Sequence, residues 1–185
     1  MGCPGSVDVP IHVAYPEGPE PRWSDALVSG VADAFPNPVR TITIPMDLAR
    51  CLVPSRQQHL ATLVLAALLR HRPEPCAKIL GIVAVDLFSP VLTFVFGQAQ
   101  FDGPSAVVST YRLRSEFYGL PANEGLLVER AIKECVHELG HAFGLVHCHH
   151  YGCVMHPSTA VDEVDIKGSS FCGRCVSLLE ARAWR

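Results

Sequence analysis

The sequence predicts an α/β domain in three layers, with helices against both faces of a sheet that contains some parallel strand pairs. Three observations lead to this prediction. Apolar residues make up 49% of the 185 residues and charged residues 18%, so the chain can bury one substantial core. Strand-like and helix-like patterns alternate over the first hundred residues, an order typical of parallel pairing. No internal repeat or long linker interrupts the chain, and we expect residues 1–185 to form a single domain.

Short strands and amphipathic helices alternate along the first part of the chain. A strand is predicted where apolar residues run together or alternate with threonines, and a helix where they recur every three or four positions. A serine stands at each predicted helix start, where its hydroxyl can accept a hydrogen bond from a free backbone N–H group. The predicted elements are a strand at residues 9–15, a helix from Ser24 to Phe35, a strand at residues 40–45 and a helix from Ser55 to about His71.

Three strands are predicted next. Residues 79–88 are rich in β-branched apolar side chains, which is typical of a central strand covered on both faces. Residues 92–101 and 106–113 are two further strands, because the turn sequence Asp102-Gly103-Pro104 separates them.

A long helix is predicted at residues 124–143, with Gly144 as its end. Glycine has no Cβ and can adopt the left-handed conformation that turns the chain out of a helix. Residues 144–175 are rich in Cys, His and Gly and are expected to carry little regular structure. A short terminal helix is predicted from Val176.

The most informative segment lies at the end of the long helix. Residues four apart on a helix lie one above the other, so the imidazoles of His137 and His141 can converge on one ion. The turn at Gly144 lets His147 return as a third ligand, which leaves a fourth position for water, as in catalytic zinc sites. Glu138 lies beside the pair, where it can act as the general base on that water. The segment reads His137-Glu138-Leu139-Gly140-His141-Ala142-Phe143-Gly144-Leu145-Val146-His147.

Four of the eight cysteines crowd into the stretch after this helix. They are Cys148, Cys153, Cys172 and Cys175. Four thiolates at this spacing suit a closed tetrahedral zinc, which has no open position and is therefore expected to be structural. Free buried thiols are the alternative. That alternative is the expectation for the remaining cysteines, which show no grouping: Cys3, Cys51, Cys76 and Cys135. The neighbouring His149 and His150 are expected on the loop surface.

Charge and hydropathy exclude several classes of protein. The net charge is −3 and no block of Lys or Arg occurs, so no nucleic-acid footprint is predicted. The longest apolar run, residues 60–69, is too short to span a bilayer. Residues 1–5 lack the basic and apolar regions of a signal peptide. We therefore expect a soluble cytoplasmic monomer without membrane or nucleic-acid partners, whose cysteines bind metal or stay free rather than form disulfides.

The stretch from His137 to Cys175 resembles the archaemetzincins, a family within the metzincin clan of zinc peptidases. In this stretch, H-E-x-x-H-x-x-G-x-x-H is followed by Cys148, by Cys153-Val154-Met155 and by Cys172-x-x-Cys175. The first eleven positions are shared with metzincins generally, and the attached cysteines are what single out this family. The signature covers residues 137–175 only.

The resemblance implies a single-domain metzincin-like α/β fold: a twisted mixed sheet backed by helices, with an antiparallel edge strand above the active-site helix. Residues 92–101 are the candidate for that strand, which in metzincins aligns an extended peptide by main-chain pairing. Residues 1–143 would hold the sheet and helices. Residues 144–185 would form a Cys-rich, zinc-bound subregion.

The resemblance also implies two zinc ions per chain. One would be catalytic, on the three histidines, and the other structural, on the four cysteines. Met155 would form the Met-turn, a tight turn that packs a methionine beneath the imidazoles. Two departures stand out: the gap from Met155 to Cys172 is one residue shorter than in the family pattern, and His156 stands where some metzincins have a nearby tyrosine.

Three functions compete at this point. The leading hypothesis is a zinc metallopeptidase that hydrolyses peptides or proteins, as an endopeptidase or an aminopeptidase. A non-catalytic, zinc-stabilised peptide-binding or regulatory protein is disfavoured, because Glu138 has no structural task that Gln could not perform. A nucleic-acid module built on the four cysteines is disfavoured by the weak basic charge and the absence of interleaved aromatic residues.

Overall fold

The structure is a computed structural model that describes residues 8–182, in which nine strands, five α-helices and two short 3-10 helices (Leu48–Cys51 and Ser115–Tyr118) are found. The strands are β1 (Ile11–Pro16), β2 (Val39–Ile44), β3 (Leu52–Val53), β4 (Gln58–Leu60), β5 (Lys78–Val83), β6 (Leu87–Ser89), β7 (Leu92–Val95), β8 (Gly97–Ala99) and β9 (Ser105–Ser109). The helices are α1 (Ser24–Ala32), α2 (Ala61–Arg70), α3 (Glu124–Ala142), α4 (Val161–Ile166) and α5 (Gly173–Ala181).

The main sheet has five strands in the order β2-β1-β5-β9-β8. The first four are parallel to one another, and β8 is antiparallel to β9 at the edge. The predicted mixed α/β sheet with an antiparallel edge strand is thus confirmed. The edge strand itself is shorter than the predicted residues 92–101, because only Gly97–Ala99 pair with β9.

Helices cover the main sheet on both faces, which confirms the three predicted layers. Neighbouring residues of β1 show the division, because successive side chains of a strand point to opposite faces. Val13 belongs to the core shared with α1 and α3, and Ala14 to the core shared with α2. Leu80 and Ile79 of β5 divide in the same way. Helix α3, which carries the histidine motif, therefore lies directly against the sheet.

Two predicted strands are each divided between the main sheet and a second sheet of order β3-β4-β6-β7. Residues 79–88 are not one strand: β5 belongs to the main sheet and β6 to the second. Asp86 lies between them, and its carboxylate accepts hydrogen bonds from Arg112 Nε at 2.6 Å and Nη2 at 2.7 Å. Residues 92–101 divide likewise, because β7 pairs with β6 whereas β8 pairs with β9. The partners are distant in sequence, so the local apolar pattern could not reveal the breaks.

The helix predicted from Ser55 begins later, at Ala61. The preceding residues form β3, a turn and β4, in which Leu52 pairs with His59. Gln57 turns the chain with a φ of 54°, so Ser55 lies in a turn and does not cap the helix.

Other predicted ends differ by a few residues. Helix α1 begins at Ser24 with Trp23 in the cap position, and it ends at Ala32 rather than Phe35. Strand β9 ends at Ser109, whereas a strand was predicted at residues 106–113. The part of the chain after α3 has more secondary structure than expected. Helix α4 was not predicted, and α5 begins at Gly173, ahead of Val176.

Helix α3 agrees closely with its prediction. Asn123 caps its start, where Oδ1 accepts a hydrogen bond from the Leu126 N–H at 3.0 Å. Its end is a Schellman motif: the Leu145 N–H donates to the Gly140 carbonyl at 2.8 Å, and the Gly144 N–H donates to the His141 carbonyl at 2.9 Å. Gly144 has a φ of +87°, the left-handed conformation that glycine adopts most readily.

Cys51, Cys76 and Cys135 are buried and free, as predicted, whereas Cys3 lies outside the described residues. Within residues 8–182, no helix combines the length and apolar character that a bilayer-spanning segment requires.

Candidate active site

The three predicted histidines lie together at the end of α3. One nitrogen of each of His137, His141 and His147 falls within 4.8 Å of the others. The ring centroids are 4.7 Å apart for His137 and His141, 4.8 Å for His141 and His147, and 5.3 Å for His137 and His147. His137 is buried, His141 half-buried and His147 exposed, so the cluster opens to solvent on one side.

Two backbone carbonyls fix the orientation of the two helical histidines. His137 Nδ1 lies 2.8 Å from the Val154 carbonyl oxygen, and His141 Nδ1 lies 2.7 Å from that of Leu145. Because a carbonyl oxygen can only accept, each Nδ1 carries the proton and donates. Each Nε2 therefore presents a lone pair to the centre of the cluster. Such bonds from the second ring nitrogen are typical of histidines that bind a metal.

The spacing of these nitrogens fits a metal ion. The Nε2 atoms of His137 and His141 are 3.1 Å apart, so two lone pairs face each other without a proton between them. A cation turns that repulsion into attraction. Two nitrogens bound to a tetrahedral zinc at about 2.0–2.1 Å would be about 3.3 Å apart. Burial lowers the pKa of all three histidines, which favours the neutral form that binds metal.

Glu138 is almost completely buried beside the histidines, with 6% of its surface exposed. Burial raises the pKa of its carboxyl group, and the neighbouring Glu134 raises it further, whereas Lys167 lowers it. A raised pKa makes the carboxylate a stronger proton acceptor, which is what a general base requires.

The four predicted cysteines form a second group, in which each sulfur lies within 4.8 Å of the others. Cys148 and Cys172 have their Sγ atoms 3.8 Å apart, and Cys153 and Cys175 theirs 3.7 Å apart. A tetrahedral zinc with sulfur ligands at about 2.3 Å would separate them by about 3.8 Å. A hydrogen bond from the Cys175 backbone lowers the pKa of Cys172 to about 7, whereas burial raises the pKa of Cys153 and Cys175. The four sulfurs therefore fit a closed zinc site.

Met155 connects the two groups. It is completely buried and packs against Gly140, which lies between the two helical histidines on α3. Its carbonyl accepts a hydrogen bond from the Cys148 N–H at 2.9 Å. The next residue, His156, bonds through Nδ1 to the Cys148 carbonyl at 3.1 Å and packs against Tyr151. His149 and His150 are exposed, as predicted, and belong to neither group.

A cleft of about 620 Å³ runs past the histidines. Residues 89–99, which include β7 and β8, form one wall, and residues 157–159 form the other. The first wall is mainly apolar, and its Val91 and Leu92 side chains are 89% and 55% exposed. The side chains at the base of the cleft are Glu134, His137, Glu138, His141 and His147.

Three features of this site were not anticipated from the sequence. Glu134 forms a buried ion pair with Lys167, whose Nζ lies 2.7 Å from Oε1. Gly97 on the edge strand lies against Glu138. The hairpin of β6 and β7 supplies much of the cleft wall. Glu134 lies one helical turn before Glu138 and could have been noted for that spacing, but no local pattern marks Gly97 or Lys167.

Comparison with known sequences gives a consistent result. The profile of peptidase family M54 matches residues 60–181. An archaemetzincin of Methanocaldococcus jannaschii is 43% identical over 128 residues, which cover 69% of each chain. An archaemetzincin of Thermococcus kodakarensis is 55% identical over 95 residues, or 51% of each chain.

Solved structures are similar over nearly the whole chain. The crystal structure of archaemetzincin from Methanopyrus kandleri superposes with a TM-score of 0.84 at 34% identity and covers 97% of both chains. A zinc-dependent peptidase from Methanocorpusculum labreanum gives a TM-score of 0.83 at 32% identity, covering 91% of this chain and 99% of that one.

Proposed function

Because the chain belongs to peptidase family M54, the archaemetzincins, and is therefore a zinc-dependent metallopeptidase, we propose that His137, His141 and His147 bind its catalytic zinc and that Glu138 is its general base. The observation that carries this proposal is the convergence of the three imidazoles at the base of an open cleft, with Glu138 beside them. Family membership also favours an enzyme over the non-catalytic alternative.

Zinc bound by the histidines would supply Lewis acidity, which polarises the scissile carbonyl and makes a water molecule easier to deprotonate. The chain's own residues perform the remaining tasks. Glu138 accepts the proton of the attacking water and delivers it to the leaving amine nitrogen. His137 and His141 are held by the Val154 and Leu145 carbonyls, so no reorganisation of these ligands is needed during the reaction.

The edge strand β8 offers a binding site for an extended peptide. Ser109 N–H donates to the Phe96 carbonyl and Gln100 N–H to the Ser105 carbonyl, so alternate residues of this stretch bond to β9. The intervening Gly97 and Ala99 direct their backbone N–H and C=O groups towards the open edge. Main-chain pairing there would lay a peptide along the cleft, with side-chain contacts to the apolar wall.

Buried polar atoms in the cleft support a peptide ligand. Ser89, Gln98 and Ser158 line the cleft, and one side-chain oxygen of each is shielded from solvent and has no hydrogen-bond partner among the described residues. Buried polar groups are normally paired. A bound peptide can supply the missing donors and acceptors from its amide groups.

We assign the four cysteines to a second, structural zinc. Four thiolates at this spacing would leave a zinc ion no open coordination position, and they would hold residues 148–175 to the end of α3. Met155, packed against Gly140, would be the Met-turn residue. The monomeric state and the cytoplasmic location stay predictions from the sequence.

Replacement of Glu138 by Gln tests the proposed mechanism. Gln keeps the size of the side chain but cannot accept the proton, so hydrolysis of a mixture of unstructured peptides should fall by about 10²–10⁴-fold. The zinc content should stay at the wild-type value, because Glu138 is not a proposed ligand. Glu124→Gln, at an exposed position of the same helix, is the matched control and should keep full activity. Near-normal turnover by Glu138→Gln would overturn the mechanism.

A further inference from the structure

Gly97 is the point at which the edge strand touches the side chain of Glu138. A Cβ atom placed on Gly97 would lie 2.5 Å from Glu138 Cγ and 2.9 Å from Glu138 Cδ. Carbon atoms in ordinary contact are about 3.5–4.0 Å apart. The stem of the Glu138 side chain therefore occupies the space that any other residue at position 97 would need.

The surroundings leave little room for adjustment. The same Cβ would lie 2.8 Å from the Val107 carbonyl oxygen, which belongs to the neighbouring strand β9. That strand is held in the middle of the main sheet between β5 and β8. Glu138 is buried on α3, which packs against β8 and β9. Since the sheet backbone is fixed on one side, a new side chain at position 97 would displace the Glu138 carboxylate.

We propose that Gly97 is a positioning residue for the peptidase reaction, because its missing side chain holds open the space in which the Glu138 carboxylate is placed beside the substrate path. The inference rests on the proposed role of Glu138. Gly97 is also one of the two residues of β8 that turn their backbone groups to the open edge. Gly97 therefore lies against the proposed general base and also on the edge to which a peptide backbone would pair.

Steady-state kinetics of Gly97→Ala tests this role. Displacement of the carboxylate by about 1 Å should lower kcat by about 10²-fold. KM should stay close to the wild-type value, because the backbone edge of β8 is unchanged, and the zinc content should also be unchanged. Gly125→Ala, on the same helix as Glu138, is the matched control, since a Cβ there makes only an ordinary contact of 3.7 Å. Turnover equal to that of the control, or a rise in KM without a fall in kcat, would overturn the proposal.

A double-mutant cycle in thermal stability tests the contact without reference to activity. Gly97→Ala should lower Tm in the wild-type background and lower it less in the Glu138→Ala background, where Cγ and Cδ are absent. Equal losses in the two backgrounds would show that Gly97 does not act through Glu138. Should Gly97→Ala fail to fold, recovery of folded protein on adding Glu138→Ala supports the contact, and failure of both variants counts against it.

The two proposals fail in different ways. Full turnover by Glu138→Gln overturns the mechanism, and the positioning role with it. An inactive Glu138→Gln together with an active Gly97→Ala overturns the positioning role alone.

Discussion

Lys167 and Glu134 form an ion pair inside the protein, with Nζ 2.7 Å from Oε1 and side chains that are only 1% and 5% exposed. The pair joins the end of α4 to α3 one turn before Glu138. Two further contacts strengthen the same connection: Arg130 holds the Asp165 carboxylate through two hydrogen bonds of 2.6 and 2.7 Å, and Lys133 donates to the Asp165 carbonyl at 2.9 Å. Residues 157–159, which form one wall of the cleft, lead into α4, the helix that these contacts hold against α3.

Lys167→Met should destabilise the protein by about 3–5 kcal/mol, because it leaves the Glu134 carboxylate buried without its partner. The double variant Glu134→Leu with Lys167→Met should recover most of that loss, since it removes both charges and keeps apolar volume. Urea unfolding of the three proteins measures the effect. Arg50→Met, which breaks an exposed pair with Asp47, is the control and should change stability by less than about 1 kcal/mol. A double variant as unstable as Lys167→Met would contradict this account.

The fold could be predicted where local signals determine the structure. Helix α3 was placed almost to the residue, because the glycine at its end and the spacing of its histidines agree. Residues 79–88 and 92–101 were wrongly predicted as single strands, because their division depends on which distant strand each part pairs with. The same cause misplaced the start of α2, since the pairing of Leu52 with His59 draws the preceding residues into a sheet.

The same distinction between local and long-range signals applies to the candidate site. Ligand residues that recur at helical or loop spacing, such as His137 and His141, could be chosen from the sequence. The contacts that position them could not. Gly97 is 41 residues from Glu138, and Lys167 is 33 residues from Glu134. No regular spacing in the sequence links the members of either pair. Such pairs meet only through the packing of α3 on β8 and α4.

Leu92→Asp should raise KM for peptides with apolar side chains by about tenfold, because an apolar side chain in the cleft would lose burial against the wall. Stability should change little, since Leu92 is already 55% exposed. Leu120→Asp is a closely matched control: Leu120 is 58% exposed and does not line the cleft. Initial rates over a range of concentrations of an apolar peptide provide the measurement. Equal KM values for the two variants would show that the hairpin wall does not contact substrate.

The purified protein should carry two zinc ions, and mild chelation should remove one of them. A zinc ion on the three histidines would be open to solvent, whereas a second zinc ion on the four thiolates would have no open coordination position and should be bound more tightly. Elemental analysis before and after chelation, with peptide hydrolysis on the same samples, follows both ions. Activity should disappear with the first ion and return when zinc is added. Release of both ions together, or loss of the first ion without loss of activity, would contradict the assignment of the two sites.

Cys172→Ser should destabilise the fold more than His141→Ala does, and it should also lower the zinc content of the histidine site. The first effect follows because metal binding by the four cysteines supplies folding free energy to the tail. The second follows because His147 and Cys148 are consecutive residues that belong to different metal groups, so a displaced Cys148 moves His147 with it. The coupling between the two sites is reciprocal in free energy. The cysteine site should nevertheless stay loaded in His141→Ala, because its Kd for zinc should remain far below the zinc concentration.

Thermal unfolding and zinc analysis of both variants measure these effects. Cys51→Ser, at a buried thiol outside the cluster, is the control and should keep both ions. Equal Tm shifts for Cys172→Ser and His141→Ala would contradict the structural role of the cysteine site. A fully loaded histidine site in Cys172→Ser would show that the two metal sites are independent.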